Sequence, residues 1–120
     1  MTDIDFKPKP KIYISGKITG IDNYADLFAH AEAKLWSQGY DVVNPVTLNH
    51  NHDKTWEMFM RHDIRAMMDC HAIYMLIGYT GSKGAMIEYR LAQELGMKII
   101  YEGIERIEQS KDNRATERIK

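Results

Sequence analysis

The chain is poor in the residues that staple, anchor or strongly charge a protein. It has a single cysteine, Cys70, so an internal disulfide is excluded, and a reducing compartment fits. No apolar stretch approaches the roughly 18 positions of a membrane-spanning helix. Residues 1–10 are acidic, then rich in Lys and Pro, without the apolar run of a secretory signal. A cytoplasmic protein with no membrane partner is therefore expected. Neither sign of charge dominates: 16 Lys and Arg face 17 Asp and Glu, for a formal net charge of −1. No global field draws the chain to nucleic acid, and any bound anion has to be held by a local site. Glycine is scarce and clustered: four of the eight, Gly16, Gly20, Gly78 and Gly81, fall in two short loops.

What is present fits one globular domain. The chain has 120 residues, 44% of them hydrophobic and 28% charged. That is long enough to bury a core without staples. Residues 12–15 predict a buried strand. A helix over about 23–38 follows, capped by Asp22 or Asn23, with Leu27, Ala31 and Leu35 inward and Gly39 as its stop. Residues 40–43 predict a second strand closed by Asn44-Pro45, and 46–54 a polar, solvated loop. A helix over about 55–69, an unbroken apolar strand at 72–77, a helix over 83–95 and a strand at 98–101 complete the pattern. Residues 1–10 form a lead-in, 11–103 the domain, and 104–120 a polar tail with a short helix near 104–109.

Strands alternating with helices predict an α/β three-layer sandwich, flavodoxin-like or Rossmann-like, with a parallel sheet in the order 2-1-3-4. Ligands bind such sheets where the order reverses, here between strands 1 and 3. Both glycine-bearing loops are expected there.

Two carboxylates fall on inward helix faces. Glu88 sits on the stripe of Ala85, Ala92 and Leu95, and Asp63 lies between Met60 and Met67 on the face that Trp56 opens. Glutamate and aspartate are seldom buried unless paired or at work. Paired carboxylates beside an anion-sized loop suit cleavage of an N-glycosidic bond, whose oxocarbenium-like transition state is stabilised by negative charge. Ser15-Gly16-Lys17-Ile18-Thr19-Gly20 follows a strand and can cradle a phosphate with backbone amides, an ammonium and a hydroxyl. Gly81-Ser82-Lys83-Gly84 opens a helix whose first amides can hold the same group. Neither the P-loop spacing nor Gly-x-Gly-x-x-Gly is present, and no cofactor is expected.

Other residues carry less. His50, His52 and Asp53 lack a further ligand set, so no metal is expected. Cys70 reads as a small buried apolar residue. Met58, Met60, Met67 and Met68 read as filler of the core or of a subunit interface. Trp56 and Tyr79 either pack or stack on a base.

Tyr13 with residues 15–20, then Asp63, then Ser82-x-Gly84-x-x-x-Glu88, resembles the nucleoside 2-deoxyribosyltransferase-like superfamily from about Lys11 to Glu102. The nearest functional type is the 2′-deoxynucleoside 5′-phosphate N-hydrolase. An uncharacterised branch of short bacterial and phage proteins is closer still. The resemblance implies a homodimer or higher oligomer and a nucleotide-like small molecule as ligand. Glu88 would attack C1′ of the sugar, Asp63 would bind the sugar or help protonate the base, and Tyr13 would position Glu88. Gly16, Lys17, Ile18, Thr19, Gly20, Ser82 and Gly84 would face the phosphate, and Asn44 and Pro45 the base or sugar. Serine at 82, where the transferases carry aspartate, points to a 5′-monophosphate. Three positions depart from the pattern: His71 follows Cys70 in place of aspartate, Tyr79 replaces a tryptophan, and Thr19 stands where the hydrolases often have arginine.

Overall fold

The computed structural model describes residues 9–104. The lead-in before residue 9 and the helix expected near 104–109 lie outside the described residues. Four strands, β1 (Lys11–Ser15), β2 (Asp41–Val43), β3 (Ala72–Met75) and β4 (Lys98–Tyr101), alternate with three helices, α1 (Tyr24–Ser37), α2 (Trp56–Met68) and α3 (Lys83–Glu94). All strand pairs are parallel and the order is β2-β1-β3-β4. This is the flavodoxin-like α/β arrangement that the alternation predicts. No described helix is long and apolar enough to cross a membrane.

Strand periodicity divides the core into two layers. Ile12 and Ile14 of β1, with Ala72 and Tyr74 of β3, pack against Phe28, Ala31 and Leu35 of α1. Tyr13 of β1, with Ile73 and Met75 of β3, faces Met67, Cys70, Ala85 and Ala92 on the opposite side. β3 is buried along its whole length and β1 from Ile12 to Ser15, which explains the apolar runs Ile12–Ile14 and Ala72–Met75.

Several local expectations shift. Leu27 is 45% exposed, and Phe28 takes the inward place with Ala31 and Leu35. The larger ring, at the same helical spacing, buries more apolar area there. Asn23 is the N-cap of α1, but its side chain makes no capping bond. Leu95 is also outward, at 57% exposure, because α3 ends at Glu94 and Leu95 leaves the helix. β3 ends at Met75; Leu76 is still buried, and Ile77 turns out to solvent while its N–H donates to Glu102. Cys70 is buried as expected, its Sγ 3.5 Å from the Ala66 carbonyl. Of the methionines on α2, Met67 is in the core and Met68 is exposed.

Candidate functional site

A cavity of about 310 Å³ lies where the loop after β1 meets the first turns of α3. This is the crossover point between β1 and β3. Its centre is Glu88, two turns into α3, with only 5% of its surface exposed. Two hydroxyls from β1 hold the carboxylate: Tyr13 donates to Oε2 at 2.8 Å and Ser15 donates to Oε1 at 2.6 Å. Residues two apart on a strand share a face, so β1 presents both donors to α3 together. Burial pushes Glu88 up to about 7; the Ser15 and Tyr13 hydrogen bonds oppose the rise and the charge of Asp63 adds to it. Tyr13 is itself raised well above its ordinary value, first by burial and then by Glu88 and Asp63, so it serves as a neutral donor.

Asp63 enters the same cavity from the middle of α2. Its Oδ1 is buried and has no hydrogen-bond partner among the described residues. The His50 Nε2 lies 3.9 Å away, close enough for charge to be felt but too far for a hydrogen bond. Burial pushes Asp63 up to about 7 as well. Two carboxyls titrating in one cavity near neutrality are suited to divided roles, one ionised and one carrying a proton.

The phosphate-side loop is only partly at the cavity. Gly16, Ile18 and Thr19 line it; Lys17 and Gly20 do not. Gly16 is required by close packing, since a Cβ there would come within 2.7 Å of Leu76 Cδ1. Lys17 instead reaches the second loop: its Nζ lies 3.6 Å from where a Cβ of Gly81 would be. Ser82 and Gly84 line the cavity at the start of α3, and the Ser82 Oγ also accepts from the Ala85 N–H as the helix cap. Gly84 lets α2 come close, because a Cβ at that position would sit 2.9 Å from Met60 Sδ and 3.9 Å from Trp56. The helix end supplies a positive dipole, and no Lys or Arg is among the described lining residues.

Of the residues expected at the base or sugar, Pro45 lines the cavity and Asn44 does not. The buried Asn44 amide donates to Glu32 and its Oδ1 accepts from Val46 N–H, so it holds the turn that presents Pro45 and Val46. Tyr79 is also away from the cavity. The short 3-10 turn Tyr79–Gly81 carries it toward β4, where its ring packs at 5.2 Å from Tyr89 and 6.3 Å from Tyr101. Trp56 is at the cavity, with the Lys83 ammonium 4.5 Å from its ring.

Sequence reasoning missed Ser15 as a partner of Glu88, although its spacing from Tyr13 carried the signal. It also missed His50, which belongs to a segment read as solvated and instead lines the cavity at 15% exposure. No group of three or more His, Cys, Asp or Glu side chains among the described residues is placed to hold a metal ion.

No curated protein and no solved structure matches the chain. The family model described as "Domain of unknown function (DUF4406)" matches residues 10–101. That range runs from the residue before β1 to the end of β4 and takes in every residue lining the cavity, and the chain therefore belongs to the DUF4406 family.

Proposed function

We propose that this protein hydrolyses the N-glycosidic bond of a nucleoside 5′-monophosphate. The observation that carries the reading is the buried Glu88 carboxylate, gripped by the Tyr13 and Ser15 hydroxyls in a cavity shared with Asp63, whose buried Oδ1 has no hydrogen-bond partner among the described residues. The likeness of these positions to the nucleoside 2-deoxyribosyltransferase-like superfamily supports it.

In the proposed reaction the ionised Glu88 attacks C1′ of the sugar. The C1′–N bond breaks, its electron pair leaves with the base, and Asp63 gives that base a proton. The resulting glycosyl ester on Glu88 is then attacked at C1′ by water, whose proton Asp63 takes up. Glu88 is freed, and the products are the base and a sugar 5-phosphate. Two displacements at one carbon retain its configuration. The two hydroxyl donors keep Glu88 aimed and ease its ionisation. The end of α3, with Ser82 and Gly84, would receive the phosphate. The cavity is at the lower end of the size that encloses a small ligand, roughly 300 Å³ and upward.

The lack of Lys and Arg among the described lining residues favours a second reading, transfer of deoxyribose between bases on an unphosphorylated nucleoside. It uses the same glycosyl ester, with a second base in place of water. A cytoplasmic location and a homo-oligomer accompany both readings; a monomer by sedimentation at working concentration would refute the second of these attributes.

The test is base release, followed by chromatography, from ribo- and deoxynucleosides and their 5′-monophosphates, with Glu88→Ala as control. Release by the wild type alone, strongest on a monophosphate, is expected. Silence across the panel refutes the hydrolase, and thermal stabilisation by a nucleotide without turnover would identify a binding module instead.

A further inference from the structure

Lys83 is the first residue of α3 and stands between Ser82 and Gly84, which both line the cavity. Its own side chain is not among the lining groups. The ammonium lies instead 4.5 Å from the centroid of the Trp56 ring, and that ring is a wall of the same cavity. Trp56 is 42% exposed and Lys83 is exposed, so the pair sits at the rim, in contact with water.

This is an unfavourable place for a cation. The start of a helix is its positive end, and the first turn of α3 has no acidic residue to offset the lysine. No carboxylate among the described residues pairs with Lys83. Its contact with the exposed indole face is a weak substitute. A hydrogen bond from an ammonium to a phosphate oxygen, with charge on both partners, is stronger. The stem is also aimed for that exchange. Cα–Cβ bonds of a helix tilt toward its N-terminus, so a first-turn side chain leans out past the amides that would receive the anion.

We propose that Lys83 selects a phosphorylated ligand: its ammonium leaves the Trp56 face and closes on the 5′-phosphate at the start of α3. The inference rests on the proposed function and deepens it, because it favours the 5′-monophosphate over the unphosphorylated nucleoside. It also reconciles a phosphate with a described lining that holds no Lys or Arg, since the charge is kept at the rim on Trp56. Lys17 is the comparison. It has the same charge, but its Nζ lies 3.6 Å from where a Cβ of Gly81 would be, and Gly81 is not among the lining residues.

The experiment is calorimetric titration of the full chain with ribo- and deoxynucleosides and their 5′-monophosphates, in a Glu88→Gln background that blocks turnover. The quantity read is the ratio of monophosphate to nucleoside affinity. Adding Lys83→Gln should lower that ratio by about tenfold, the scale of one charged hydrogen bond, and should weaken the salt dependence of monophosphate binding. Lys83→Arg, which keeps the charge, should restore most of the ratio. Lys17→Gln should lower it by about twofold or less. An unchanged ratio in Lys83→Gln, or an equal loss with Lys17→Gln, would overturn the proposal. So would equal losses on nucleoside and monophosphate, which mark a structural role only. Base release by the wild type with any of these results overturns the role of Lys83 alone. No binding and no base release across the panel would overturn the proposed function and this inference with it.

Discussion

Replacing Glu88 by glutamine should stabilise the protein increasingly as the pH rises above about 4.5. The side chain is buried, and its folded pKa is raised from 4.5 to about 7. A group raised in this way contributes its full stability below the unfolded value and loses it as the pH climbs through the folded value. Between those limits the folded chain holds a proton that the unfolded chain has released. The interval from 4.5 to about 7, at about 1.4 kcal/mol per pH unit, corresponds to roughly 3 kcal/mol lost by pH 8. Glutamine matches the protonated acid in shape and carries no charge, and the Tyr13 and Ser15 hydroxyls can rotate to meet it. Wild type and Glu88→Gln should therefore melt together near pH 4.5 and diverge steadily above it. By pH 8 the variant should be ahead by roughly 10 °C in Tm for a domain of this size. Urea unfolding at closely spaced pH values measures the gap directly. A gap that is constant from pH 5 to 9, or a wild type that gains on the variant in alkali, would refute the assignment of Glu88 as a group kept in the fold against its electrostatic preference.

Other outcomes follow from neighbouring contacts. Tyr13→Phe removes the 2.8 Å donor from Glu88, so Glu88 should ionise at higher pH; the acid limb of base release should move up, with kcat at pH 6 lower by about 10-fold or more, since a hydrogen bond to a charged group is worth ~1.5–3 kcal/mol. An acid limb that stays put would contradict this. Ser82→Asp keeps a capping oxygen for the Ala85 N–H and so should preserve the fold, but it sets a negative charge where a phosphate would lie. Competition between a nucleoside and its 5′-monophosphate should swing toward the nucleoside by about 10-fold or more, the scale of one unfavourable charge contact. Gly16→Ala drives a methyl to 2.7 Å from Leu76 Cδ1 in a packed layer and should cost about 1–3 kcal/mol by urea unfolding. Unchanged stability would show that Leu76 yields.

The sheet order was legible because β1 and β3 are apolar on both faces and the connections alternate strand with helix, which leaves few topologies. Glu88 and Asp63 stood out because a carboxylate on an inward stripe conflicts with its surroundings. Phe28 over Leu27 was not legible, since both satisfy the helical spacing and only the packed ring decides. Tyr79 failed for a different reason: the 3-10 turn rotates it toward Tyr89 and Tyr101, and a sequence of turn residues does not say toward which edge a turn points. The role of His50 was hidden because its contacts, the Pro45 carbonyl, His52 and Asp63, come from a turn, its own loop and a helix, which only the fold brings together.

The grip on Glu88 comes from alternate residues of one central strand, and this ties chemistry to register. A slip of β1 by one position against β3 would send Tyr13 and Ser15 to the α1 layer together, leaving the carboxylate without either donor. Register errors would therefore abolish the site outright and leave no weakened form of it. The cavity walls contributed by the residue 16–19 loop, the Pro45 turn and Trp56 belong to other segments. Selection or design can rebuild what the cavity admits in those segments while the strand–helix clamp passes through unaltered.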